Sequence, residues 1–110
     1  MSGYFELKPA AGAQIMFNLK AGNHEVILTS ELYKSKGGAL GGIESVKKHA
    51  PVDSNYRRKT ATNGSPYFVL VAVNGETIGK SEMYSSATAM ENGIASVKAN
   101  APSASIKDLT

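Results

Sequence analysis

Two polar tetrads, Ser30-Glu31-Leu32-Tyr33 and Ser81-Glu82-Met83-Tyr84, are the residues of this chain best suited to chemistry. A carboxylate can act as acid or base and a phenol can donate a hydrogen bond, so each tetrad could line a small-ligand pocket or a small active site. General acid/base work also needs a tuned pKa and a cleft, and the sequence shows neither. The structural alternative is that hydroxyl and carboxylate tie down a turn whose backbone lacks ladder partners.

Other candidates are thinner. His24 and His49 are the only histidines, and no further ligands stand at metal-site spacing around them. The run Gly37-Gly38-Ala39-Leu40-Gly41-Gly42 invites a phosphate-loop reading but lacks the Gly-Lys-Ser/Thr ending and the Gly-x-Gly-x-x-Gly spacing. Arg57-Arg58-Lys59 is the one dense basic cluster, either a solvated strand surface or an anion site. With no cysteine, disulfides, thiol nucleophiles and thiolate metal sites are excluded. No catalytic residue, metal or cofactor follows from these patterns.

The tetrads are part of a repeat. Shifted by 51 residues the chain matches itself: Gly42-Ile43-Glu44-Ser45-Val46-Lys47 lies over Gly93-Ile94-Ala95-Ser96-Val97-Lys98, and Ala50-Pro51 over Ala101-Pro102. Upstream, Phe17/Phe68, Leu19/Leu70, Ala21/Ala72, Asn23/Asn74, Glu25/Glu76 and Ile27/Ile78 agree at alternate positions. Period two is the mark of strands with one buried face. Repeat one is drawn at residues 3–51, repeat two at 54–102, and 103–110 is a C-terminal strand or tail. Half a chain of this length buries too little surface to stand alone, so both repeats should share one core in one domain.

Strands are predicted at 4–8, 14–21 and 25–30, with counterparts at 55–59, 67–73 and 76–81. A three-residue loop at Gly22-Asn23-His24, ending in a left-handed residue, pairs Ala21 with Glu25 and Leu19 with Ile27, keeping the shared positions on one face. Gly75 suits that conformation; His24 must tolerate it. The outer face then carries Met16, Val26 and Leu28 in one copy and Tyr67, Val69 and Val71 in the other. That apolar surface could serve a partner or pair two copies of the chain. A helix follows in each repeat, capped by Ser35 or Ser86 and ended by Pro51 or Pro102. Ala39, Ile43, Val46 and Ala50, like Met90, Ile94, Val97 and Ala101, form one apolar helix face. Gly42 and Gly93 inside the helices point to close packing, and the glycines before Gly42 weaken the first turn of the first helix.

Net charge is +3, split as +2 over residues 1–51 and +1 over the rest. An even split does not favour nucleic acid, whose binders gather basic charge on one face. No apolar run reaches the ~20 residues of a membrane span. No secretory signal is evident at the N-terminus, so the cytoplasm is the default compartment.

The doubled pattern, Phe-x-Leu-x-Ala-x-Asn, then Ser-Glu-x-Tyr-x-Ser, then Gly-Ile-x-Ser-Val-Lys ending in Ala-Pro, resembles the YegP-like family of small uncharacterised bacterial proteins over Tyr4 to Pro102. The resemblance implies two β-β-β-α-β units in a single sheet, with the stretch after Pro51 and the tail around Ser105–Leu109 exchanged across a pseudo-twofold. The chain departs from that pattern at His24, in place of a turn glycine, and at Leu40-Gly41, where Glu91-Asn92 of the second copy keep it. The family supplies no activity and no catalytic residues.

The expectation is therefore an α+β fold, one mostly antiparallel sheet with two helices on one face. It would act as a non-enzymatic binding or interaction module, monomeric unless the outer sheet face pairs two copies. A small-ligand protein or enzyme built on Glu31, Tyr33, Glu82 and Tyr84, and weak nucleic-acid binding through Arg57, Arg58 and Lys59, are the alternatives.

Overall fold

The computed structural model describes residues 3–110. Its elements run β1 (Tyr4–Ala10), β2 (Gln14–Lys20), β3 (Val26–Thr29), α1 (Lys36–His49), β4 (Tyr56–Thr60), β5 (Pro66–Val71), β6 (Thr77–Lys80), α2 (Ala87–Asn100) and β7 (Ser105–Asp108). All seven strands form one sheet in the order β4-β5-β6-β3-β2-β1-β7. Every pairing is antiparallel except that of β7 along β1. The two repeats meet where β3 pairs with β6, and each post-helix strand crosses to the far repeat, the exchange the family resemblance implies.

Alternation along the strands buries Phe5, Leu7, Phe17, Leu19, Phe68 and Leu70 on one face, in one cluster with Ile43, Val46, Ile94 and Val97. Both helices cover that face. Each starts where its serine caps it: Ser35 Oγ accepts from Gly38 N–H (3.0 Å), and Ser86 Oγ from Ala89 N–H (3.1 Å).

The hairpin loops close as read. Ala21 N–H donates to Glu25 O and Ala72 N–H to Glu76 O, both at 2.9 Å. His24 (φ 70°) and Gly75 (φ 83°) hold the left-handed position. The pairing beyond the loop needs correction. The ladder shifts between Leu19 and Lys20, so Lys20 faces Val26 and Leu19 faces Leu28, not Ile27. The second hairpin shifts the same way, and Leu70 faces Gly79. Ile27 and Ile78 are the extra residues of two bulges, and a bulge breaks strict alternation. Leu28, expected on the outer face, is fully buried in the core as a result.

Leu28 and Gly79 are the same position in the two repeats, and they meet. A Cβ on Gly79 would lie 2.6 Å from Leu28 Cγ. Two leucines could not occupy this crossing of β3 and β6, so one copy supplies the side chain and the other the space.

Candidate functional site

The duplicated tetrads are built into the fold as braces. Ser30 Oγ accepts from Phe17 N–H (2.9 Å) and donates to Glu31 O (2.7 Å). Ser81 does the same with Phe68 N–H (2.9 Å) and Glu82 O (2.8 Å). Each hydroxyl thus replaces a ladder bond where the strand turns away. Tyr33 stacks on Phe17 (6.1 Å, 14°) and Tyr84 on Phe68 (6.3 Å, 10°). Both rings lie against the helix glycines: a Cβ on Gly42 would come within 2.7 Å of Tyr33 Cζ, and one on Gly93 within 2.6 Å of Tyr84 Cζ. Burial raises the pKa of both phenols, and the neighbouring Glu31 or Glu82 adds to it. Both hydroxyls therefore stay protonated.

The tyrosines face the helices, while Glu31 reaches the opposite side and Glu82, at the junction, borders both. On that opposite side the two glutamates line a groove of about 530 Å³ with Lys59, Tyr67, Val69, Lys80 and Met83. Lys80 Nζ sits 5.1 Å from the centre of the Tyr67 ring. A smaller groove, about 370 Å³, lies between the β2–β3 hairpin and α2, lined by Glu25, Glu82, Tyr84, Asn92 and Ser96 among others.

The basic cluster is divided by the strand pleat. Arg57 and Lys59 point to the open face. Arg58 points to the helices, where it binds Glu91 through Nε (2.6 Å) and Nη2 (3.0 Å) and Asp53 through Nη2 (3.1 Å). Those two carboxylates keep the guanidinium charged and are themselves held below ordinary carboxylate values, Glu91 by Arg58 and Asp53 first by Lys98.

The histidines do not converge. His24 Nδ1 lies 2.9 Å from Tyr4 Oη at the hairpin tip. Buried His49 donates from Nδ1 to Ser45 O (2.7 Å) and accepts at Nε2 from Val73 N–H (3.3 Å). Asn100, its counterpart, donates to Ser96 O (2.8 Å) and accepts from Gly3 N–H (2.9 Å). Both side chains secure a helix end. Among the described residues no three His, Asp or Glu side chains gather as metal ligands would.

The open face has an order that alternation alone missed. Cross-strand partners share a face, so the pairings trace one row across all seven strands: Arg57, Val69, Lys80, Thr29, Asn18, Glu6, Lys107. Lys59 pairs with Tyr67, Lys8 with Met16 and Lys20 with Val26 on the same face. Val69 and Val71 lie there too but are only 7% and 5% exposed, so less apolar surface reaches solvent than alternation suggested. Lys80 and Thr29 escaped sequence reading because the bulges move them outward; counted in twos from Ile78 and Ile27 they fall inside. The paired register was the missing signal.

Charge separates by face. Lys8, Lys20, Arg57, Lys59, Lys80 and Lys107 stand on the open face, against Glu6 within the strands and Glu31 and Glu82 at the groove. The other six cations are matched by the other six acids. The whole formal charge of +3 therefore belongs to the open face. Glu6 is 9% exposed and binds Lys20 (3.2 Å) and Lys8 (3.8 Å). The Lys20 hydrogen bond holds its carboxyl below the ordinary value, against the opposing effect of burial. Arg57, Lys59, Lys80 and Lys107 have no carboxylate within 4.0 Å among the described residues.

Comparison with known proteins follows the same doubling. A model of the domain of unknown function DUF1508 matches twice, at residues 10–56 and 61–108. The chain belongs to the DUF1508 family. A UPF0339 protein of Bordetella pertussis is 64% identical over 110 residues, covering all of this chain and 98% of that one. The UPF0339 protein YegP of Escherichia coli K12 is 53% identical, with both chains covered in full. Solution NMR structures of a UPF0339 protein from Shewanella oneidensis and of YegP from E. coli each superpose with a TM-score of 0.94 at 53% identity. They cover all of this chain and 93% and 95% of theirs. The E. coli protein is described as of unknown function. No helix among the described residues of this DUF1508 protein is long and apolar enough to cross a membrane.

Proposed function

We propose that the protein is a non-enzymatic binding module whose recognition surface is the open face of the sheet. The observation that carries this reading is the sorting of charge. Off the open face cations and acids are equal in number, although Lys34, Lys47 and Lys48 make no ion pair among the described residues. The open face keeps the whole formal excess and, among the described residues, four cations with no carboxylate within 4.0 Å. Unpaired cations around a groove with an aromatic ring favour recognition of an anionic partner. Ser30 and Ser81 are both engaged in backbone bonds, so neither supports a nucleophile.

The reading is tested by titrating 15N-labelled protein with charge-fractionated bacterial extract. Amide shifts are expected around Lys59, Tyr67, Val69 and Lys80, and Lys80→Glu should abolish them. Shifts confined to the helix side, or none in any fraction, would overturn it.

The groove beside α2 favours a second reading, a small-ligand site with Glu25, Glu82 and Asn92 as polar contacts and Tyr84 as donor. Shifts in that titration centred on Asn92 and Ser96 would select it instead.

A further inference from the structure

We infer that the open face is a platform for single-stranded nucleic acid, with Tyr67 as the stacking ring and the unpaired cations as phosphate contacts. The inference rests on the open face being the recognition surface and adds the class of ligand. Three observations lead to it.

The first is where the cations stand. Arg57, Lys80 and Lys107 lie in one row on β4, β6 and β7. Lys59 flanks that row beside the groove. Strands sit roughly 4.8 Å apart, so the row spans nearly 30 Å of sheet. Charge dispersed over that length suits a polymer with repeated negative charges better than a single small anion.

The second is the aromatic ring within the charge. Tyr67 pairs with Lys59 across the strands and lies under Lys80. Val69 and Met83 line the same groove. Lys80 rests over the ring face, so a base stacks there once this flexible side chain swings off to a phosphate, with Lys59 on the paired strand as a second cation. Glu31 and Glu82 at the same groove can accept hydrogen bonds from exocyclic amines of a stacked base.

The third is shape. Both helices lie on the other face, so among the described residues no helix stands on this one to enter the major groove of a duplex. An open sheet meets unstacked bases side on, which selects single strands. The even division of charge along the chain hid this, because strands from both repeats supply the row.

The test is fluorescence anisotropy with labelled oligomers of about 12 nucleotides, oligo-dC and oligo-C, whose bases carry an exocyclic amine, beside a duplex of that length. Each is measured over a series of salt concentrations and against poly-glutamate as competitor. Expected are binding of single strands over duplex and a log–log salt slope of about −3, for four contacted phosphates at roughly 0.7 each. Tyr67→Ala should weaken binding about tenfold with little change in slope, and Tyr67→Phe should restore it. Lys80→Ala and Arg57→Ala should each flatten the slope by about 0.7. No binding at low salt, preference for duplex, or equal competition by poly-glutamate with no effect of Tyr67→Ala would each overturn the inference. Open-face shifts in the extract titration together with any of these would leave the binding-module reading standing and remove only the nucleic-acid ligand. A circular dichroism melt of each variant shows that the fold is kept.

Discussion

In the first repeat the helix-facing residues Leu7 and Leu40 are apolar; fifty-one residues on, Arg58 and Glu91 occupy the equivalent positions and form an ion pair. The difference follows from what lies beyond each strand. β1 is flanked on both sides, by β2 and β7, and Leu7 is fully buried. β4 is the free edge of the sheet, and the Arg58 side chain stays 35% exposed. A charged pair at Leu7 would lose its hydration with little in return, whereas at the rim it stays solvated and guards an edge against strand addition. The open face diverges in the same sense: Glu6, Met16, Asn18 and Thr29 in one half correspond to Arg57, Tyr67, Val69 and Lys80 in the other. Two copies of one unit therefore differ wherever the chain ends break the symmetry or solvent leaves the choice open.

The comparison breaks first at the pseudo-twofold. Leu28→Ala should cost about 2–5 kcal/mol in urea unfolding. Gly79→Ala alone should cost about 1–3 kcal/mol, because its Cβ meets Leu28. The double variant should cost less than the sum, since the shortened residue 28 makes room; strict additivity would show that the two do not share the space.

Next are the paired helix glycines. Gly42→Ala and Gly93→Ala should each cost about 1–3 kcal/mol through contact with Tyr33 and Tyr84. Gly42→Ala should cost more, because Phe17 Cε2 lies 3.0 Å from the added carbon, against 3.3 Å for Phe68 at Gly93. Equal denaturation midpoints would count against this account.

Acid should separate the halves by charge. Glu6 in one half and Glu91 and Asp53 in the other have folded pKa values below their unfolded ones, and Asp108, held by Lys36, falls to about 2. Their contribution is complete above the unfolded values near pH 4 and is lost as pH falls through the folded ones. Stability should therefore decline steadily below about pH 5. Glu6→Gln should flatten that decline in part, and an unchanged acid profile would remove Glu6 from the list.

The smallest effect concerns the hairpin tips. His24→Gly gives the first loop the residue of the second and relieves the positive φ, offset by the lost Tyr4–His24 contact. A gain under about 1 kcal/mol in thermal melts is expected; a clear loss would mean that the contact outweighs the strain.

Much of this was legible in the residues. Alternation marked the strands, and four-three-four spacing marked the buried helix stripes. The serine caps and a close approach at Gly42 and Gly93 followed from residues that the sequence repeats, but that Tyr33 and Tyr84 are what approaches came from the structure. The candidate site was legible only in pieces. Glu31, Glu82, Tyr67, Val69 and Lys59 were singled out for separate reasons, and the fold brings them to one groove. Lys80 and Thr29 were hidden by the bulges, and Arg58 left the basic cluster because adjacent strand residues face opposite ways.

The chain alone determined the doubled unit, the order of elements, their amphipathic faces and the net charge, since these need only the residue types in their order and not which distant residues meet. Only the tertiary structure decided which cations share a face, that Leu28 fills the space of Gly79, and that one edge of the sheet is covered by β7 while the other ends at β4. Those facts depend on register between strands far apart in sequence, and a shift of one residue there sends every side chain to the other face.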